Sequence, residues 1–178
     1  MSTELKAILA GFGGQGTLFA GKVIAYAGLI ENDEVSWFPS YGPEMRGGTA
    51  NCSVTLSEEP IGSPLIQRPN ALLAMNQPSY DKFIGDVASG GVVVFDSSLI
   101  SPQIERDDCT VSGIPAARIA EEHDLGGLAN IVLLGKLWAL TGFCDRSTLD
   151  AAIEKCVPPR KAALVEKNKV AIQLGIDV

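Results

Sequence analysis

The chain has no Cys-x-x-Cys pair, a single histidine, and no uncharged apolar run of membrane-spanning length. Its four cysteines, Cys52, Cys109, Cys144 and Cys156, are too widely spaced to begin a zinc or iron–sulfur ligand set, so any cluster chemistry is assigned to another chain. His123 stands in Glu121-Glu122-His123-Asp124 with no second histidine or nearby cysteine, and reads as a solvated helix residue. Without a Gly-x-Ser-x-Gly elbow that histidine has no serine to activate, which argues against an autonomous hydrolase. A basic excess is also missing: 14 Lys and Arg face 21 Asp and Glu, a formal net charge of −7. Nothing there would neutralise nucleic-acid phosphates or hold the chain on anionic lipid, so neither nucleic acid nor a membrane is expected as a partner. With no charged leader in view and no disulfide pattern, the chain reads as cytoplasmic. Its thiols read as core or near-surface groups rather than nucleophiles.

What is present is an alternation of strand and helix signals. At 178 residues and 46% hydrophobic, the chain can bury one core, and we read residues 1–178 as a single domain without repeats or a low-complexity linker. Residues 5–10 form an apolar strand, and a glycine turn leads into a helix over 17–30. Strands are expected over 34–38 and 50–56, with the Pro- and Gly-rich stretch 39–48 between them. Further strands are expected at 71–75, 92–96 and 109–114, with a crossover helix over 79–88 and a helix over 116–123. The apolar pattern of 129–141 predicts a buried helix. Ser147 is read as the cap of a helix over 148–156, and Gly175 as the end of a C-terminal helix over 160–174. The order predicts an α/β protein: one three-layer α/β/α, Rossmann-like domain with a mostly parallel sheet and an antiparallel pair around 39–48.

Two segments carry chemistry. Gly11-Phe12-Gly13-Gly14-Gln15-Gly16 lies at a strand-to-helix turn, where main-chain N–H groups and the helix dipole suit phosphate or pyrophosphate. The same glycines are equally able to do no more than make a tight turn against the sheet. A nicotinamide dinucleotide site would add an acid at the end of the second strand, but Glu31, Asp33 and Glu34 precede that strand and read as turn residues. In Ser40-Tyr41-Gly42-Pro43-Glu44-Met45-Arg46-Gly47-Gly48, Arg46 between glycines is either a bidentate phosphate clamp or a solvated surface arginine. Asn130, opening the apolar helix, is either a cap or an amide presented to a ligand beneath the glycine turn.

These segments, with Trp37-Phe38-Pro39 before the second, Thr49-Ala50-Asn51-Cys52 after it, and Ala74-Met75-Asn76-Gln77-Pro78, resemble the gamma-subunit family of 2-oxoacid:ferredoxin oxidoreductases. The resemblance spans nearly the whole chain. The central motif is closer in form to 2-oxoglutarate and branched-chain 2-oxoacid members than to pyruvate members. It implies a non-autonomous enzyme subunit assembled with alpha and beta subunits, and a delta subunit where present. Those partners would hold thiamine diphosphate and iron–sulfur clusters, decarboxylate a 2-oxoacid oxidatively to acyl-CoA, and pass electrons to ferredoxin, in the setting of anaerobic pyruvate metabolism. It further implies that this chain helps bind coenzyme A through Gly13, Gly14, Gln15, Gly16, Arg46 and Asn130. The competing expectations are a free-standing Rossmann-like dinucleotide-binding protein and a purely structural assembly subunit.

Overall fold

The computed structural model describes residues 4–40 and 49–178. Six strands make one sheet: β1 (Leu5–Phe12), β2 (Glu34–Ser40), β3 (Thr49–Ser57), β4 (Ala71–Ala74), β5 (Val92–Asp96) and β6 (Thr110–Ile114), in the order β2-β3-β1-β4-β5-β6. The pairs β1/β4, β4/β5 and β5/β6 are parallel, while β3 runs against both of its neighbours. The antiparallel β2/β3 pair flanks residues 41–48 as the sequence predicts. That β3 continues straight onto β1 was not legible. β1 is apolar on both faces because both are covered: Ala7 and Leu9 point into one core, Ile8 and Ala10 into the other. β3 alternates instead, with Cys52, Val54 and Leu56 buried in the first core and Asn51 and Ser53 turned the other way.

Helices α1 (Thr17–Ile30), α3 (Ala116–Glu122), α4 (Ala129–Thr141), α5 (Arg146–Cys156) and α6 (Leu164–Asp177) build the larger core on one face. The other face carries α2 (Gln77–Phe83) and a 3-10 turn, Ile84–Asp86, over Ile8, Leu72, Val93 and Phe95. The crossover α-helix is therefore seven residues rather than the ten of 79–88, starting two residues earlier and finishing as the 3-10 turn. Asn76 starts it, its Oδ1 accepting from the Ser79 N–H at 2.8 Å, with Pro78 in the first turn where its missing donor costs nothing.

Two end assignments change. Helix α5 starts at Arg146 after Asp145, so Ser147 lies inside its first turn rather than capping it. Gly175 sits within α6, not past its end. The reason is tertiary: a Cβ at Gly175 would collide with the Val132 carbonyl of α4, and one at Gly135 of α4 with the Ile172 carbonyl of α6. Two bare backbones let the helices cross in contact, which fixes α4, and with it the residues of its first turn, firmly against α6.

Candidate functional site

The chain leaves β1 through α1 toward β2 on one side, and leaves β4 through α2 toward β5 on the other. Neighbouring parallel strands with diverging connections open a crevice at their C-terminal ends, the usual ligand position in such sheets. The glycine turn fills the lip of that crevice at the end of β1.

Its shape is held by amides. The Gln15 N–H donates to the Phe12 carbonyl at 3.2 Å, the Phe12 N–H donates to Gln15 Oε1 at 2.6 Å, and Gln15 Nε2 donates to the Met75 carbonyl at 3.2 Å. One side chain thus ties the end of β1 to the residue that follows β4. Gly14 and Gly16 take φ of 90° and 79°, the left-handed region that a side chain resists. Gly13 and Gly14 are exposed, while Gln15 and Gly16 are half-buried.

Asn130 is not a cap. Leu128 occupies the N-cap position of α4, and Asn130, 3% exposed, turns its amide away from its own helix. Its Nδ2 donates to the Gly16 carbonyl at 2.9 Å, across 114 residues of sequence. Among the described residues its Oδ1 is buried without a partner. Helix α1 begins at Thr17 with no side-chain cap and no acidic residue in its first turn, so its leading N–H groups keep their affinity for an anion. A cleft of about 230 Å³ opens there between Phe12, Leu18 and Ala50, floored by Gly13, Gly14 and Gly16.

Arg46 lies outside the described residues. The strand that follows it is described: Thr49 pairs with Phe12 and Ala50 with Gly11, so the chain re-enters the sheet directly beside the glycine turn. A larger cleft, about 500 Å³ along residues 60–68 with Glu4, Lys6 and Thr55, lies at the opposite end of β1. Its two β1-end charges are joined in a Lys6–Glu4 pair at 2.8 Å.

The rest of the chemistry is quiet. Burial pushes the Cys52 thiol up to about 12, Cys144 to about 12 and Cys156 to about 11, so these groups are protonated at neutral pH and make poor nucleophiles. His123 places Nδ1 2.9 Å from the Ile119 carbonyl of its own helix. Among the described residues no cluster of His, Cys, Asp or Glu could hold a metal ion. These residues do not fit an iron–sulfur cluster. Glu31, Asp33 and Glu34 sit at the start of β2, and its glycine-turn end is Phe38, Pro39 and Ser40. None of the latter three is acidic, so no described residue at that end supplies the ribose-holding acid of a nicotinamide dinucleotide site. No helix among the described residues is long and apolar enough to cross a membrane.

Comparison with known proteins adds the context. The family profile described as "Pyruvate ferredoxin/flavodoxin oxidoreductase" matches residues 6–178. Ketoisovalerate oxidoreductase subunit VorA of Methanothermobacter marburgensis is 44% identical over 98% of this chain, and the chain spans 36% of that relative's length. 2-oxoglutarate synthase subunit KorC of Methanocaldococcus jannaschii is 40% identical over 96% of this chain and 91% of its own. The crystal structure of a keto/oxoacid ferredoxin oxidoreductase gamma subunit from Geobacter sulfurreducens superposes with TM-score 0.82 at 31% identity, covering 97% of this chain and 96% of that one. A 2-oxoglutarate:ferredoxin oxidoreductase from Magnetococcus marinus, solved with 2-oxoglutarate, coenzyme A and succinyl-CoA bound, shares the fold with TM-score 0.84 at 22% identity, over 99% of this chain and 32% of that one.

Proposed function

The chain belongs to the pyruvate ferredoxin/flavodoxin oxidoreductase family, as a counterpart of its gamma subunits, and we propose that within such a complex it receives coenzyme A. The complex would oxidatively decarboxylate a 2-oxoacid to acyl-CoA in the cytoplasm and reduce ferredoxin. Thiamine diphosphate and the iron–sulfur clusters supply the decarboxylation and electron-transfer chemistry from the alpha and beta subunits, with a delta subunit where present. This chain contributes binding and orientation.

The observation that carries the reading is the open glycine turn at the switch-point crevice, leading into the uncapped start of α1. Coenzyme A brings a pyrophosphate and a 3′-phosphate, and main-chain N–H groups at a helix start suit such charges without a cation of their own. Gly13, Gly14, Gln15, Gly16 and Arg46 make up the proposed contact set, with Asn130 behind the turn holding the Gly16 carbonyl. Arg46 is three residues from Thr49, which pairs with Phe12, and three residues of extended chain reach about 10 Å. A guanidinium on such a tether suits a second phosphate, bound bidentately. The apolar walls of the cleft, Phe12, Leu18 and Ala50, suit the uncharged parts of the carrier.

The test uses the assembled complex. Gly14 has open space around its Cβ position, and at its φ of 90°, where any side chain is strained, aspartate is among the better-tolerated residues, so Gly14→Asp places a carboxylate at the mouth of the turn. We expect Gly14→Asp and Arg46→Ala each to raise KM for coenzyme A about tenfold, equivalent to about 1.4 kcal/mol of binding, with KM for the 2-oxoacid unchanged. A panel of 2-oxoacids on the wild-type complex identifies the substrate. Unchanged KM for coenzyme A in both variants would leave the chain a structural assembly subunit. Tight binding of a nicotinamide dinucleotide, with none of coenzyme A, would return it to the free-standing dinucleotide-binding class.

A further inference from the structure

The glycine turn has two sides. Gly13 and Gly14 face solvent and the cleft. On the other side the Gly16 carbonyl is gripped twice: it accepts from the Ala20 N–H at 3.0 Å, the first bond of α1, and from Asn130 Nδ2 at 2.9 Å. Asn130 is 3% exposed, and the place a Cβ at Gly16 would take is already filled by its amide. The absence of a side chain at 16 and the presence of an amide at 130 are therefore one arrangement. It is fixed from behind, because α4 is held against α6 where Gly135 and Gly175 bring the backbones into contact.

The amide is also costly where it sits. Its Oδ1 has no partner among the described residues, and a buried acceptor left without a hydrogen bond destabilises the fold relative to an apolar side chain of the same shape. Packing alone would favour leucine at a position flanked by buried Ile131, Val132, Leu133 and Leu134. The one thing leucine could not do is hold the Gly16 carbonyl.

Resting on the coenzyme A reading above, we propose that Asn130 is a positioning residue that never touches the carrier. By pinning the Gly16 carbonyl it sets the plane of the Gly16–Thr17 peptide. The N–H at the other end of that peptide, the first donor of α1, is thereby aimed into the cleft.

Asn130→Asp is isosteric but offers the Gly16 carbonyl only acceptors. In the assembled complex it is expected to raise KM for coenzyme A, and the dissociation constant from calorimetric titration of coenzyme A, about tenfold. The kcat at saturating coenzyme A and KM for the 2-oxoacid stay within about twofold. Because Gly16→Ala evicts the same amide, adding Asn130→Ala to it should cost nothing further in coenzyme A affinity. Losses that multiply mean that residue 130 meets the carrier on its own account, and the positioning role fails. Where Gly16→Ala prevents assembly, Asn130→Ala should restore it by freeing the space the new methyl needs, and absence of that rescue counts against the proposal. Unchanged coenzyme A affinity in Asn130→Asp overturns it as well. If Gly14→Asp or Arg46→Ala responds in that case, only the positioning role is lost; if neither responds, the coenzyme A reading goes with it.

Discussion

Two of the turns that follow parallel strands on this sheet, those after β1 and β5, handle donors in opposite ways. The turn after β5, residues 97–108, contains the more obvious anion receptor: Arg106, beside a cleft of about 320 Å³ lined by Tyr80, Phe95 and Ile104. Its guanidinium is consumed. Nε donates to Asp108 Oδ1 at 2.6 Å and Nη2 to Oδ2 at 2.7 Å, while Nη1 donates to the Ile84 carbonyl at 2.9 Å and Nη2 to Val87 at 3.0 Å. Ser89 donates to the same carboxylate at 2.5 Å. The fork is a latch that closes the turn over the 3-10 segment. The turn after β1 holds no charged side chain at all, yet it leads into a helix start with neither cap nor acid. Charge marks a binding site only where the protein has not already answered it, and by that measure the glycine turn is the open one.

The comparison breaks most readily at Gly16. Alanine there takes a left-handed backbone at a cost of about 1–2 kcal/mol, and its methyl displaces the Asn130 amide, an overpacking that typically adds about 1–3 kcal/mol. Against a native margin of about 5–15 kcal/mol, urea denaturation of Gly16→Ala should show a midpoint well below wild type. A midpoint close to wild type would mean that the turn relaxes freely and that the Asn130 contact is incidental.

A smaller effect, opposite in kind, is expected at the latch. Arg106→Ala frees the Ile84 and Val87 carbonyls and leaves Asp108 with Ser89 and the weak Cys109 thiol contact, so the thermal midpoint should fall. Because the latch lies away from the glycine turn, KM for coenzyme A in the complex should not move. A rise in that KM comparable to the one expected for Arg46→Ala would make the 97–108 turn a phosphate site and reverse the assignment of the two.

Much of the open turn was legible because its determinants are local. An apolar run, glycines and a stretch of helix formers place the start of α1 at Thr17, and the apolar pattern sets α4 at Ala129–Thr141. The parts that sequence could not supply depend on distant contacts. Asn130 reads as a cap because it opens a helix, and only the fold shows its amide reaching Gly16. Gly175 reads as a helix end for want of its partner Gly135. Arg106 stands out little, since Arg-Asp-Asp in a polar turn looks solvated. A signal did exist in the arginine followed two residues later by an acid, the spacing that closes the fork. Asn76 was singled out only within a motif; its Oδ1 caps α2 through Ser79, while its buried Nδ2 has no partner among the described residues.

The finest separation of the two turns is by pH, since only one of them holds a titratable pair. The Arg106 guanidinium, and after it the Ser89 hydroxyl, hold the Asp108 carboxyl well below the usual carboxylate range. A group whose folded value is depressed binds its proton less readily in the native state than in the unfolded chain. Its contribution to stability is therefore fully present above the unfolded carboxylate value, about 3.9, and is lost as pH falls below it toward the folded value. Thermal midpoints recorded from pH 5 downward should decline in the wild type, and in Asp108→Asn that part of the decline should be missing. The glycine turn contributes nothing of this kind, so Asn130→Ala should lower the midpoint by a constant amount and follow the wild-type slope. If Asp108→Asn instead parallels the wild type at every pH, the Arg106–Asp108 fork does not persist in solution, and Arg106 becomes as free to meet an anion as the donors at the start of α1.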